Sequence, residues 1–487
     1  MMHPSTVDSD LAQAIAGYDA LADVREQQPY YAQRIYPLLR ERFRQQPDPQ
    51  SGVQLLLVSI SNPHVPVFAA AYWKPTAVFA IYSEYSQRFR ATIEREVTSL
   101  GVDCDGAVVL NIEADPAALY QAIKRAVQPY LRSGRNNPQI ALDVTGGTSV
   151  MSVGAAMAVS LVGGQLLYIP SDPRPDDPTK RQIGTERCLP FADPYTVFGD
   201  LEAAEAQRNF QQHDYAVAAQ LFSDLAARVP ENASYAAAAA LAAAYADWEI
   251  FAFAQASAQL STLLKQPLAT LPMLAVHTEL LARQQALLDR LTDISAAVVR
   301  RDGAALGTLA DALAILPLLG TLHGAAIRRA TQKRYDFAAL FRYRCLELIS
   351  QHRLASYGIL CNKPDYRAAG IAPALMKERF GEVQRVVGRK DLKKLPERNI
   401  ALFDGYMLLA TLDDPLVRGY DLKQIEARTN ARNHSVLAHG YRLIGQDEYD
   451  AFAEVVDAMI DRLFDRVLGQ PRDDWELLAQ FIDPFDA

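Results

Sequence analysis

The residues from Asn430 to Gly440, which read NARNHSVLAHG, contain the side chains that phosphate chemistry uses. Arg432 and His439 stand seven positions apart, and a helix of about 3.6 residues per turn would place both on one face. We predict that the stretch is helical and ends at Gly440. Arginine is a permanent cation, and histidine exchanges a proton near neutral pH. Such a pair could cleave a phosphate ester, although basic residues at an exposed helix end would show the same spacing.

Composition limits the classes of protein that the chain can be. Its 487 residues, half of them apolar, predict two to four domains with substantial cores. Because the net charge is −8, a site for a polyanion must be a local basic patch. The four cysteines form no CxxC pair and no zinc-ligand spacing with histidine, which argues against both a disulfide framework and a metal site.

The sequence also carries expectations about location. Its first residues include early acids and no apolar run after a basic start, so we predict no secretion signal and a cytoplasmic protein. Three stretches are nearly free of charge, but internal glycines, prolines or polar residues argue against membrane insertion. These stretches are Ser149–Ile169, Asn232–Ala246 and Ala304–Ile327.

The N-terminal part of the chain predicts an α/β domain. Residues 1–50 have a helical, charged pattern, and from residue 51 short apolar runs alternate with helical patterns. This alternation is typical of a doubly wound parallel sheet. The predicted strands are Gly52–Ser61, Thr76–Tyr82, Gly106–Ile112, Gln139–Val144 and Gln165–Ile169. The predicted helices between them are Ser86–Leu100, Pro116–Leu131 and Ser149–Val162.

Two loops leave these strands with residues suited to a ligand. In a doubly wound sheet the ligand lies outside the carboxyl ends of the strands, where the winding direction reverses. Glycines let backbone amides approach a ligand, and a helix N-terminus favours phosphate, although the polar residue before the helix could simply cap it. The loops have neither the Walker pattern nor GxGxxG, which argues against an NTPase or a dehydrogenase. The candidate ligand-binding residues are Ser59, Ser61, Asn62, Thr145, Gly146, Gly147, Thr148 and Ser149.

The second loop also carries a family resemblance. DVTGGTSVMS, followed by a small-residue helix and the strand QLLYI, resembles the CARF domain, the Rossmann-like sensor of cyclic oligoadenylate in type III CRISPR defence. The SISNP turn fits the same domain, and the resemblance covers about residues 52–198. It implies that the eight loop residues bind cyclic tetra- or hexa-adenylate. Several relatives carry lysine where this chain has Ser149, so the ring size and any degradation of the ligand stay open.

After the sensor-like region the pattern becomes helical. Residues 170–194 are rich in proline and aspartate, and we interpret them as a linker rather than a flap over the ligand. Residues 204–226 resemble one tetratricopeptide-like hairpin, but no second repeat follows at a fixed period. Residues 199–325 are therefore predicted to form a helical connector.

A basic patch begins at Ile327. Arginines and lysines interleaved with aromatic side chains form a combination used for single-stranded nucleic acid. The alternative is an amphipathic helix whose aromatics lie in the core, and we accept that interpretation for most of the rings. We retain Arg342 and Arg344 as candidate RNA contacts. The patch contains Arg328, Arg329, Lys333, Arg334, Arg342, Arg344, Arg353, Tyr335, Phe337, Phe341 and Tyr343.

RYDFAALFRYRCLE, together with ARNHSVLAHG downstream, resembles the HEPN domain of the CRISPR-associated CARF–HEPN ribonucleases. The resemblance covers about residues 326–470 and places the domains at 1–50, 51–198, 199–325 and 326–487. It implies a homodimer in which Arg432, Asn433 and His439 of two protomers form one composite site.

The resemblance implies a metal-independent endoribonuclease that cleaves single-stranded RNA, is activated by cyclic oligoadenylate and needs no cofactor. RNA supplies the 2′-hydroxyl nucleophile, so the protein must align it, move protons and stabilise the phosphate. His439 would be general acid or base, Arg432 would hold the phosphate and Asn433 would position either of them. A non-enzymatic sensor whose helical half only binds RNA or a partner is the alternative. A dinucleotide-dependent enzyme is a third possibility, but the sequence lacks its fingerprint.

Overall fold

The computed structural model describes residues 6–46, 52–110, 116–131, 139–191, 199–229, 233–268, 271–299, 303–472, 475 and 479–485. Contacts within the chain divide it into two units, Met1–Leu201 and Glu202–Ala487.

The first unit is built on a single sheet. Its strands are β1 (Leu55–Ser59), β2 (Ala77–Ser83), β3 (Asp103–Leu110), β4 (Ile140–Asp143), β5 (Gln165–Tyr168) and β6 (Leu189–Phe191). They lie in the order β3-β2-β1-β4-β5-β6. The first five are parallel, and β6 runs antiparallel to β5. Every residue of β1 and of β4 is buried, as expected for central strands of a sheet covered on both faces.

Helices cover both faces of this sheet. They are α1 (Thr6–Asp19), α2 (Val24–Tyr30), α3 (Tyr36–Gln45), α4 (Val65–Trp73), α5 (Arg90–Ser99), α6 (Pro116–Val127) and α7 (Ser149–Ser160). Leu56 and Val58 of β1 point into a core formed with α1, α3, α4 and α5. Leu55 and Leu57 point into the opposite core, formed with α6 and α7. Alternate residues of β1 thus reach opposite faces, because the side-chain period of a strand is two.

The predicted α/β architecture is confirmed, and the five predicted strands are observed with ends shifted by a few residues. Two elements were missed. Helix α4 reads VPVFAAAYW and is buried from Pro66 to Trp73, so it has no polar face to reveal a helical period. Strand β6 has only three residues. Residues 111–112 of the predicted third strand lie outside the described residues.

The interpretation of residues 170–194 as a linker is wrong for the part that the structure describes. The guanidinium of Arg42 on α3 donates hydrogen bonds to the carbonyls of Gly184 and Glu186, at 2.6 and 2.5 Å. The segment then enters β6. Residues 192–194 lie outside the described part of the chain.

The second unit is helical throughout its regular elements, as predicted. Its helices are α8 (Asp200–Gln211), α9 (Tyr215–Arg228), α10 (Ala233–Glu249), α11 (Phe253–Leu264), α12 (Pro272–Ala275), α13 (Thr278–Val299), α14 (Gly303–Ala310), α15 (Ala312–Thr331), α16 (Tyr335–Ser356), α17 (Pro373–Val386), α18 (Leu402–Thr411), α19 (Leu422–Asn433) and α20 (Gln446–Arg462). One hydrophobic core centres on α8 to α13, and a second centres on α15 to α20. Among the helices of the described residues, none is long and apolar enough to cross a membrane.

A buried ion cluster joins these two cores. Glu249, at the end of α10, accepts hydrogen bonds from Arg328 and Arg329 of α15, the second at 2.6 Å. The side chains of Glu249 and Arg328 are only 6% and 7% exposed. The Arg328 guanidinium also lies 3.8 Å from the ring centroid of Phe481. A buried cation that lost its carboxylate here would have neither water nor a counter-ion.

We therefore expect Glu249→Gln to lower the free energy of unfolding by about 3–5 kcal/mol, because it leaves two guanidiniums without their charge partner. Urea denaturation of the purified chain measures this loss. Asp413→Asn is the matched control, since Asp413 pairs with Arg418 at the surface and such pairs contribute little. Equal, small effects of both substitutions would contradict the assigned role of the buried cluster.

Candidate functional site

The loops after β1 and β4 meet where the winding of the sheet reverses. Strand β1 lies between β2 and β4, so connections leave it in opposite directions. A Cβ atom on Gly146 would stand 2.1 Å from the carbonyl oxygen of Ser59, so the two backbones are in direct contact. Gly147 has a φ of +81°, a conformation that favours glycine. The TGGT sequence therefore lets the second loop close over the end of β1.

The same loops begin two helices. Thr148 is the N-cap of α7, and its hydroxyl accepts a hydrogen bond from the amide of Met151 at 3.3 Å. The side-chain oxygen of Asn62 accepts bonds from the amides of His64 and Val65, at 2.9 and 3.1 Å, where α4 begins. Ser61 and Ser149 are exposed at the two loops. The arrangement offers hydroxyl groups beside the N-terminus of α7, which suits an anionic ligand.

Beneath the loops lies a buried carboxyl group that the sequence analysis did not single out. Asp143, the last residue of β4, is 0% exposed, and its Oδ1 accepts bonds from the amide and hydroxyl of Thr145. The Thr145 hydroxyl also accepts a bond from the amide of Ile169 at 2.7 Å, so it fastens the loop to β5. Burial raises the pKa of Asp143 to about 7. An acidic residue at the end of an entirely apolar strand is the signal that could have identified it.

Within the described residues, two buried oxygens of this region have no hydrogen-bond partner: Oδ2 of Asp143 and Oγ of Ser59. The structure thus brings the eight predicted residues together around one sheet end but gives them different surroundings. Ser59 is buried, the hydroxyl of Thr145 is engaged, and Ser61 and Ser149 face solvent.

The predicted helix from Asn430 to Gly440 is wrong in its second half. Helix α19 ends at Asn433, and the chain then turns back so that Ser435 pairs with Arg442 in a β-bridge. The amide of Val436 donates to the carbonyl of Arg442 at 3.0 Å. A Cβ atom on Gly440 would stand 1.9 Å from the carbonyl oxygen of His434, so glycine is required where the turn closes. Gly440 thus permits a chain reversal instead of ending a helix.

The reversal returns His439 to the end of α19. Its amide lies 3.4 Å from the carbonyl oxygen of Asn433, to which it donates. The guanidinium of Arg432 lies 3.3 Å from the side-chain oxygen of Asn433 and 4.5 Å from the ring centroid of Tyr343. The three predicted catalytic residues are therefore brought together through Asn433 and a tight turn.

An open cleft of about 890 Å³ lies beside this turn. Of the three predicted catalytic residues only His439 lines it, while Arg432 lies against Tyr343. Three cleft residues were not predicted as site residues because the assumed helix pointed them elsewhere or ended before them: His434, Tyr441 and Arg442. Arg428 also lines the cleft. The cleft offers two imidazoles and two guanidiniums, the donors expected around a phosphate.

The candidate RNA contacts Arg342 and Arg344 lie elsewhere. Arg342 is 3% exposed and donates to the carboxylate of Asp457 at 2.8 Å, so it is not available to a ligand. Arg344 donates to Gln351 at 3.1 Å and lines a separate cavity of about 420 Å³. The amphipathic interpretation of this helix thus describes Arg342 better than the RNA-binding one. Among the described residues, no group of three acidic, histidine or cysteine side chains could hold a metal ion.

Comparison with known proteins places this geometry in a class. The family model of the Csm6 HEPN domain matches residues 311–463, and that of the Csm6 6H domain matches residues 198–288. The CRISPR system endoribonuclease Csm6 of Thermus thermophilus is 23% identical over 457 residues, which cover 90% of this chain and 92% of the relative. The structure of Enterococcus italicus Csm6 bound to cyclic hexa-2′-fluoro-hexa-dAMP has a TM-score of 0.47 and 12% identity. It covers 88% of this chain and 98% of that one.

An α/β domain followed by a helical unit with a HEPN domain defines the class of CRISPR-associated CARF–HEPN proteins, and the resemblance seen in the sequence is confirmed. Within that class the chain is similar to Csm6, because the family models of the Csm6 6H and HEPN domains match the greater part of its helical unit. The turn that carries His439 lies inside the matched HEPN domain.

We expect Gly440→Ala to loosen the turn, because the added methyl group would collide with the backbone of His434. Overpacking of this kind costs about 1–3 kcal/mol, so amides of residues 436–442 should exchange with deuterium roughly ten- to a hundredfold faster. Gly445→Ala is the control, since nothing lies within 4 Å of its added Cβ atom. Equal exchange in both variants would contradict the proposed steric requirement.

Asp143 predicts a pH dependence of stability. Its pKa is 3.8 in an unfolded chain and about 7 when buried, so the folded state binds more protons between these values. The contribution of Asp143 to the free energy of unfolding is therefore fully present below pH 3.8 and is lost as the pH rises through 7. Asp143→Asn keeps the acceptor for Thr145 and removes the titration. The variant should gain stability relative to the parent by up to about 1.4 kcal/mol per pH unit between pH 5 and 7. Thermal unfolding at several pH values measures this difference. If the stability of the parent and of the variant changed in parallel with pH, the assigned titration of Asp143 would be contradicted.

Proposed function

We propose that this chain is a metal-independent endoribonuclease that cleaves single-stranded RNA and is activated by cyclic oligoadenylate in type III CRISPR defence. The observation that carries the proposal is the turn that joins His439 to Asn433, whose side chain accepts from Arg432, inside a segment matched by the Csm6 HEPN domain. The Thermus thermophilus relative, aligned over nine-tenths of this chain, is named as an endoribonuclease. We place this activity in the cytoplasm, where RNA is accessible.

The chemistry follows from the side chains. The 2′-hydroxyl of RNA attacks the adjacent phosphorus, so the protein must move two protons and stabilise the charge of the pentacoordinate phosphate. His439 transfers a proton, Arg432 contributes positive charge, and Asn433 positions both through its carbonyl and side-chain oxygens. Proton transfer by a positioned side chain contributes about 10²–10⁴-fold. The products carry 2′,3′-cyclic phosphate and 5′-hydroxyl ends, and no step uses a metal ion.

The active form is a homodimer with a composite catalytic site. In one chain Arg432 lies against Tyr343, outside the cleft that His439 lines, so one protomer does not present both groups to one phosphate. Apolar side chains next to the turn are exposed, among them Val436, Leu437 and Leu443. A two-fold axis at this surface would bury them and bring two copies of the turn together.

A second apolar surface lies on the sensor unit. Val150, Val153 and Met157 of α7 are exposed, and their spacing places them on one stripe of the helix. Packing this stripe against its copy would put two sheet ends next to each other. A symmetric ring of nucleotides suits a site made from two identical halves.

Cyclic oligoadenylate binds, in this proposal, at the ends of β1 and β4. The exposed hydroxyls of Ser61 and Ser149 and the N-terminus of α7 are suited to phosphates, and Gly146 and Gly147 allow a close approach of backbone amides. Ser59, Asn62, Thr145 and Thr148 shape and hold these loops, although the unpartnered hydroxyl of Ser59 leaves it a capacity to bind. Cyclic tetra- and hexa-adenylate are the two activators that the proposal covers. The ligand can raise activity only by favouring one dimer arrangement over another.

The deciding experiment is cleavage of a fluorescent single-stranded RNA in EDTA, with and without cyclic tetra- or hexa-adenylate. We expect one ring to activate the natural chain and His439→Ala to lower the rate by about 10²–10⁴-fold. An RNA with deoxyribose at the cleaved position should resist, because it lacks the nucleophile.

Loss of cleavage in EDTA, or cutting of the deoxyribose substrate, would contradict the mechanism. Tight binding of one ring without cleavage would instead favour the non-enzymatic sensor. Ser149→Lys, which introduces the lysine that the CARF resemblance suggests at this position, tests whether the residue sets the preferred ring size.

A further inference from the structure

Two histidines, not one, line the cleft beside the turn. His434 is the first residue after α19 and His439 follows it across the reversal, and both contribute to the wall of the same 890 Å³ cleft. A continuous helix would have sent His434 to the opposite side from His439. The observed turn removes that separation.

The hydrogen bonding of His434 determines its tautomer. Its Nδ1 lies 2.7 Å from the carbonyl oxygen of Asn430. A carbonyl oxygen only accepts, so Nδ1 carries a hydrogen and donates it. The neutral ring therefore has its lone pair on Nε2, and its orientation is fixed by a backbone group one helical turn earlier. An oriented imidazole with an unprotonated Nε2 is the form required of a general base.

We propose that His434 is a second catalytic residue, which accepts the proton of the attacking 2′-hydroxyl while His439 protonates the departing 5′-oxygen. This inference rests on the ribonuclease function proposed above. Transphosphorylation requires one proton to leave the nucleophile and another to reach the leaving group. Two histidines in one cleft satisfy both requirements within a single turn of the chain.

The step is balanced. The O–H bond of the 2′-hydroxyl breaks, its proton passes to Nε2 of His434, and its electron pair forms the 2′-O–P bond. The P–O5′ bond breaks, and the 5′-oxygen takes a proton from the imidazolium of His439. The products are a 2′,3′-cyclic phosphate and a 5′-hydroxyl, with one proton moved from His439 to His434 through the substrate.

The surroundings of the two rings suit this assignment. The charged and titratable side chains that face them across the cleft are Arg428, Tyr441, Arg442 and Glu448. Arg442 is paired with Glu448 at 3.3 Å, and among the described residues Arg428 has no ion-pair partner. Tyr441 is 98% exposed and could stack on a base of the substrate. The cleft thus supplies cations for a phosphate, and its lining carboxylate, Glu448, is paired with Arg442.

His434→Asn separates catalysis from structure. The side-chain amide of asparagine can reproduce the Nδ1–H donor to the Asn430 carbonyl, but it has no basic nitrogen in place of Nε2. We expect it to lower the ligand-activated cleavage rate by about 10²–10⁴-fold and to remove the acidic limb of the pH–rate profile. His434→Ala removes both functions and serves as the matched comparison. Circular dichroism and binding of a non-cleavable 2′-deoxy RNA verify that both variants are folded.

A second substrate tests the direction of proton transfer. RNA with sulfur replacing the 5′-bridging oxygen has a leaving group that needs no proton. His439→Ala should recover most of its lost rate on this substrate, whereas His434→Asn should not.

Full activity of His434→Asn would overturn the proposal, since it would reduce His434 to a structural anchor. Rescue of His434→Asn by the sulfur substrate would also overturn it, since His434 would then be the acid. Failure of the natural chain to cleave with either ring would instead reject the ribonuclease function itself. That result is read from the natural chain alone, so it is distinguishable from a failure of the role assigned to His434.

Discussion

The last carbonyl groups of a helix have no partner within it, and the turn after α19 is organised by the way these groups are satisfied. The carbonyl of Asn430 accepts from both the amide and the ring of His434. The carbonyl of Arg432 accepts from the amide of Ser435, and that of Asn433 lies within reach of the amide of His439. The hydrogen bonds that cap the helix are thus the same ones that hold the two histidines in place. This is why a loop, rather than a rigid helix face, can hold groups that must be placed closely.

In the α/β unit the polar groups that need hydrogen-bond partners are buried rather than exposed. Its loops are held by a buried network in which Asp143, Thr145 and the backbone of Ile169 satisfy one another. Buried polar groups of this kind are stabilising only when paired, and here one oxygen of Asp143 remains without a partner among the described residues. The turn after α19, by contrast, lies at the surface, where water can satisfy polar groups that have no protein partner. Buried polar contacts therefore lie beneath the loops after β1 and β4, whereas the turn beside the cleft is exposed to solvent.

How much of this structure can be predicted from the sequence depends on which contacts are local and which are not. Strands buried on both faces leave continuous apolar runs, and polar loops follow them at fixed places, so the sheet and the loops at its strand ends could be predicted. Helix α4 could not, because a helix buried on every side has no period. The reversal after Asn433 was not predicted, because the seven-residue spacing of Arg432 and His439 fits a continuous helix as well as it fits the observed turn. The contacts that distinguish the turn from a helix, such as the close approach of Gly440 to His434, are not visible in the sequence. Arg342 was misjudged because its partner, Asp457, lies 115 positions away.

The edges of the sheet limit how two copies of this chain can meet. Strand β6 closes one edge with an antiparallel partner only three residues long. The other edge strand is β3. Its register against β2 shifts between Val78 and Phe79 of β2, where Phe79 pairs with Gly106. Strand β3 also begins with the exposed acids Asp103 and Asp105. Short, bulged and charged edges resist the addition of another strand. Growth of a continuous sheet from chain to chain, the route by which exposed edges lead to fibres, is thereby disfavoured.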